Sequence, residues 1–141
     1  MPYRFLEEVA IADVAFEAEG RTLPDVFEAS ALALTEVMVD LDGLSPALPR
    51  EISLTAGDLE TLLFRWLAEL IYLKDSVCLL FRRFQIAIRQ GAEWELQATA
   101  WGEPIDYEKM SLKVDVKAVT YHMFTIEQSS DGWRAQVVLD I

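Results

Sequence analysis

The chain has 141 residues, 52% of them hydrophobic, with 24 acidic against 12 basic side chains, a net charge of −12, and one cysteine. Its length and apolar content fit one domain over residues 1–141, and no apolar run approaches the roughly 18 to 20 residues of a membrane span. One cysteine excludes an internal disulfide, and a surface this acidic repels phosphate backbones, so a basic protein partner or a cation is expected rather than nucleic acid.

The start, Met1-Pro-Tyr-Arg-Phe-Leu-Glu-Glu, lacks the basic region and apolar stretch of a signal peptide, so a cytoplasmic location is expected. Residues 3–6 read as a short edge strand, and residues 14–19 as a second strand ended by Gly20. Thr22 then reads as a helix cap, with Pro24 tolerated in the first turn and Asp25 completing a pattern like a capping box. Val26, Phe27, Ser30, Ala31, Leu34, Val37 and Met38 recur at three and four, so a helix with one apolar face is predicted, stopping near residues 40–43. Residues 45–50 read as a loop and residues 51–55 as a strand. A second helix opens at Asp58 or Gly57, with an apolar stripe from Leu59 to Leu73 and Glu60, Arg65, Glu69 and Lys74 facing water. Cys78 is expected to be a small buried hydrophobe.

After Asp75 the period changes to two: Leu80, Arg82, Phe84, Ile86 and Ile88, then Trp94, Leu96, Ala98 and Ala100, a hairpin turning at residues 90–92. Gly102-Glu-Pro104 is expected to break it, with residues 105–112 a loop or single helical turn. In residues 113–122, Val114, Val116, Ala118 and Thr120 fall on one strand face and Asp115, Lys117, Val119 and Tyr121 on the other, placing an acid and a base side by side. That strand continues through Phe124 and Ile126 and turns at residues 129–132 to pair with a last strand running to Ile141. The resulting class is α+β, two helices packed on largely antiparallel β-sheet.

The sequence contains no Gly-rich phosphate loop, no thiol or imidazole cluster, and no nucleophile elbow. His122 is the only histidine, either a general base or a structural side chain at a strand end. What remains is oxygen chemistry: Asp13, Asp115, Asp140 and the Ile141 carboxylate, with Lys117 nearby, a set suited to calcium or magnesium rather than zinc.

Four stretches together resemble the archease family: Asp115-Val-Lys-Ala-Val-Thr-Tyr-His122, Gly102-Glu-Pro104, the run from Leu62 to Asp75, and the ending Val137-Val-Leu-Asp-Ile141. The resemblance implies an archease-like single domain and a noncatalytic accessory protein of the RtcB-type RNA ligase of tRNA splicing and RNA repair. Such a protein promotes guanylylation and turnover of the ligase, to which GTP and manganese belong. It further implies a divalent cation, calcium foremost, held by Asp13, Asp140 and Ile141, with Lys117 beside it and Asp115 and His122 close by. This chain departs from the family in lacking a His-Thr-Ala-Asp run near its start, which leaves Glu8 as the alternative to Asp13, and in having Met110 where a histidine is common. Two other readings compete: a chaperone-like binding module, with Phe81, Phe84, Trp94 and Trp101 as candidate contacts, and a metal-dependent hydrolase built on Asp13, Asp140, Lys117 and His122.

Overall fold

The computed structural model describes residues 2–6 and 13–141, and within them the order is β1 (Tyr3–Leu6), β2 (Asp13–Gly20), α1 (Leu23–Met38), β3 (Leu48–Ala56), α2 (Leu59–Val77), β4 (Leu79–Gln90), β5 (Trp94–Pro104), β6 (Ala118–Ser129) and β7 (Gly132–Asp140). The α+β class and the antiparallel pairing agree with the sequence reading. The strands form two sheets instead of one, ordered β1-β2-β7-β6 and β3-β5-β4. Both helices touch both sheets, α1 chiefly through β2 and β4 and α2 through β6 and β3. The helices therefore form a layer between the sheets, and one cluster of buried side chains draws on all of these elements.

Local chemistry sets the helix ends. The Thr22 hydroxyl accepts from the Asp25 N–H at 3.2 Å, and the Asp58 carboxylate accepts from the Thr61 N–H at 2.8 Å. Each cap satisfies an N–H group that has no partner within its own helix. α1 is buried on more than the one predicted face, since Ala29, Ala33 and Thr35 are also enclosed. Ser30 and Thr35 tolerate this because their hydroxyls donate to the carbonyls of Val26 and Ala31, each at 2.8 Å. The fully buried Trp66 of α2 donates from its indole nitrogen to the Phe27 carbonyl at 3.1 Å, joining the two helices. Removing that side chain is expected to cost about 3–5 kcal/mol.

Several boundaries differ from expectation. β3 begins at Leu48, inside the predicted loop, because it is an edge strand where Pro49 needs no ladder partner for its missing N–H. β5 runs through Gly102 to Pro104, where the bulge at Arg82 brings the β4 backbone so close that a Cβ on Gly102 would lie 1.8 Å from the Leu80 carbonyl oxygen. There glycine permits the close pairing instead of breaking it. Cys78 is exposed, ending α2 in the left-handed region at φ 57°, with its N–H on the Leu73 carbonyl. The main change concerns residues 113–117, which are not a strand: Lys113 and Val114 give their N–H groups to the Met38 and Val37 carbonyls at the end of α1, at 2.8 and 3.2 Å. With those donors spent on a helix end, no period-two face forms, and β6 starts only at Ala118.

Candidate functional site

Antiparallel register brings two of the predicted acids together. Asp13, the first residue of β2, lies directly opposite Asp140, the last of β7, and on the other side of β7 Asp140 faces Ala118 of β6. Residues directly opposite in an antiparallel pair share a face, with Cβ atoms about 4.5–5.5 Å apart. Along these strands Val14, Phe16 and Ala18, opposite Leu139, Val137 and Ala135, point to the helices; Asp13, Ala15, Glu17 and Glu19, opposite Asp140, Val138, Gln136 and Arg134, point away. Both aspartates therefore sit on the outer face, half-buried, beside the fully buried pair Ala15 and Val138. Ile141 follows at the end of β7, partly buried against the core.

Lys117 reaches the same corner. Its N–H donates to the Asp140 carbonyl at 2.8 Å, fixing the residue just before β6 to the last residue of β7, while its side chain is exposed. Glu8, the alternative acid, lies outside the described residues. Among the described residues no three His, Cys, Asp or Glu side chains gather as a metal set. The side chains brought together at this corner are the carboxylates of Asp13 and Asp140, oxygen groups that would suit a hard divalent cation better than zinc.

Asp115 and His122 are placed elsewhere, and each departure has a physical reason. Asp115 does not share a strand face with Lys117. It turns to α2 and pairs with the Lys74 ammonium at 2.6 Å, because residues 113–117 follow the end of α1 and not a sheet. His122 lies four residues beyond Ala118, on the order of 10 Å along the strand. It is exposed on a stretch where the register with β7 shifts between Thr120 and Thr125 and Met123 takes φ 50°. The same bulge turns Tyr121 onto α2, where its ring stacks on Phe64 with centroids 3.8 Å apart and planes 2° from parallel.

Lys74 was expected in water, yet only 6% of its surface is exposed. It bonds Asp115, Asp75 at 2.7 Å and the Val116 carbonyl at 2.7 Å. Burial pulls its pKa down, but hydrogen bonds and charge from the two aspartates outweigh that, so the net shift is upward. The one sequence signal was a lysine at the margin of the apolar stripe with an acid beside it; its second acid lies 41 residues on. Around these groups is a cleft of about 440 Å³ whose walls include Met38, Cys78, Tyr107 and Val114. Of the candidate hydrophobic contacts on the first hairpin, Phe81 and Phe84 are buried in the core, Trp94 is partly buried, and Trp101 lies under the Arg83 guanidinium at 4.3 Å.

Comparison with known proteins places the chain among relatives. Residues 3–141 match the model of the Archease protein family. The chain is 42% identical over 141 residues to protein archease of Methanosarcina acetivorans, covering 99% of this chain and 95% of the relative. It is 42% identical over 132 residues to protein archease of Pyrococcus furiosus, covering 92% and 93%. Protein 1598 of Methanobacterium thermoautotrophicum, solved in solution, superposes with a TM-score of 0.85 at 34% identity over 99% of both chains. A crystal structure described as an archease, possible chaperone, from Thermotoga maritima shares the fold with a TM-score of 0.64 at 21% identity over 98% of both chains.

Proposed function

Because the chain belongs to the archease family, we propose that it is a noncatalytic activator of an RtcB-type RNA ligase, promoting ligase guanylylation and multiple turnover in tRNA splicing and RNA repair. The observation that carries this reading is the pair Asp13 and Asp140, opposed on the outer sheet face with Lys117 fixed beside them. Two carboxylates held side by side repel each other unless a cation joins them. In this reading Asp13, Asp140 and the Ile141 carboxylate hold a divalent cation, calcium foremost. When bound, it supplies positive charge that neutralises the carboxylates and fixes the end of β7. Lys117, exposed at the same corner, offers a charge to the ligase or its nucleotide. A net charge of −12 favours docking on a basic, RNA-handling enzyme over direct contact with RNA. In this reading the ligase is met in the cytoplasm; no helix among the described residues is long and apolar enough to cross a membrane.

The test is multiple-turnover RNA ligation by an RtcB-type enzyme with GTP and manganese, with and without this protein. A gain in turnover that disappears with Asp140→Ala is expected. No gain from well-folded protein would refute the activator role, and full stimulation by both Asp13→Ala and Asp140→Ala would refute the site.

One observation favours a chaperone-like binding module as the second reading. Tyr121 and Tyr72 are 65% and 61% exposed and Met123 is 47% exposed, a composition typical of recognition surfaces. Capture of unfolded client proteins as tightly as a folded ligase would favour it.

A further inference from the structure

We propose that Lys74 is the positioning residue of the corner formed by Lys117 and Asp140, a buried ammonium that holds Asp115 and Val116 on α2 and thereby sets where Lys117 enters the sheet. This deepens the cation-site reading; the placement itself does not depend on a cation.

Residues 111–117 leave the Met110 turn, cross the end of α1 and enter β6, with little sheet pairing of their own. Their first part is tied to α1: the Ser111 carbonyl accepts from the Asp40 N–H at 3.0 Å, and the Lys113 and Val114 N–H groups donate to Met38 and Val37. Their last residue is tied to β7 through the bond from Lys117 to Asp140. Between these ties the segment is held by the buried Val116 side chain and by Lys74. The three N–H bonds of that ammonium are all committed: one to the Asp115 carboxylate, one to the Val116 carbonyl, and one to Asp75 on its own helix. Two of the three grip residues immediately preceding Lys117.

The asymmetry of exposure explains the direction of the grip. Asp115 and Asp75 are 71% and 56% exposed and would be at ease in water, whereas Lys74 is buried. An ammonium enclosed this way needs its partners, so the segment is drawn to the lysine, and α2, anchored by its core stripe, is the fixed body. Lys74→Met keeps the aliphatic stem while deleting the charge and its bonds. The Val116 carbonyl then loses its partner, and among the described residues the 115–117 stretch keeps one backbone bond to the sheet, from Lys117 to Asp140.

The experiment is residue-resolved amide hydrogen exchange on full-length wild type, Lys74→Met and Asp115→Asn, without added metal. Exchange of the Lys117 amide is expected to quicken on the order of tenfold or more in Lys74→Met and by a smaller factor in Asp115→Asn, with the Val119 and Leu139 amides unchanged. Should Lys74→Met fail to fold, Asp115→Asn carries the test by the same comparison. Equal quickening at all three amides would reduce Lys74 to a general stabiliser and overturn the proposal, as would an unchanged Lys117 amide. A calcium titration of the same samples then addresses the cation: weaker binding by Lys74→Met extends the positioning role to the site. Absence of calcium binding by wild type would count against the cation reading alone, because the exchange result stands without it.

Discussion

The two ends of the outer face of β2 and β7 use one geometry for opposite purposes. At the end nearer the hairpin turn, Glu17 lies 3.3 Å from Arg4 and 3.9 Å from Arg134, and Arg134 lies 3.6 Å from Glu19, charges alternating across three strands. At the other end of the same strands the register sets Asp13 against Asp140. The first is the usual way to finish a solvent-facing sheet; the second spends stability, since like charges directly opposite are destabilising. Nothing in the pairing of β2 with β7 requires two acids there. The proposed cation would account for them, and the ladder serves as an internal control for sheet face and strand.

The largest expected effect separates the ends by ligand. Calcium at about 100 times its dissociation constant should raise unfolding free energy by about 2.7 kcal/mol, and Asp140→Ala should abolish this along with ligase stimulation, whereas Glu17→Ala should leave both intact. Thermal unfolding with and without calcium measures the first, and the ligation assay the second. An equal calcium response in both variants would dissolve the distinction between the ends.

Next comes a contrast between the two faces of the edge strand β1. Arg4 points outward to the ladder, while Tyr3 points inward, 6% exposed, donating its hydroxyl to Glu36 at 2.9 Å. Burial and then the Glu36 carboxylate push the Tyr3 pKa up to about 12. Tyr3→Phe should cost about 1.5 kcal/mol at neutral pH, more than Arg4→Ala. Because the folded pKa lies above the unfolded value of 10.0, the stabilisation is complete below pH 10 and is lost as pH rises toward 12. Denaturant titrations of wild type and variant at rising pH should therefore converge over that interval.

How much of this was legible in the sequence follows from the range of the forces involved. The caps at Thr22 and Asp58, the α2 stripe and both hairpins are local, and period and turn residues reveal them. The pairing of Asp13 with Asp140 came through resemblance to a family and not from spacing, since register between residues 127 positions apart leaves no local trace. Residues 113–117 misled because Val-Asp-Val-Lys alternates like a strand, while their backbone donors are taken by the end of α1. Lys74 misled for a related reason: on its helix it looks like a surface residue, and only the arrival of Asp115 and the Val116 carbonyl buries it. The bulge at Met123 likewise left no signal in an otherwise regular strand.

The opposed aspartates should also declare themselves without any metal. In a chelator, Asp140→Asn removes the like-charge contact while keeping the side-chain shape, so stability should rise by about 0.2–1 kcal/mol. In calcium the same variant should fall below wild type, since it forfeits the ligand's contribution, so the order of the two proteins reverses with the ion. No reversal would mean that the pair is not both strained and a cation site, and the arm that departs from its expected order tells which.

The smallest effect belongs to the ladder. Glu17 is 16% exposed and meets two guanidinium groups, but Arg4 and Arg134 are themselves 70% and 50% exposed, so solvent screens much of the attraction. Glu17→Gln should therefore cost only about 0.3–1 kcal/mol at low salt, with the difference shrinking toward zero near 1 M, where the Debye length falls to about 3 Å. At the acid end, by contrast, high concentrations of monovalent salt should weaken repulsion and stabilise the wild type relative to Asp140→Asn in chelator. Opposite signs of salt dependence on one sheet face would distinguish a finished surface from one built to receive a charge, and matching signs would leave the two ends alike.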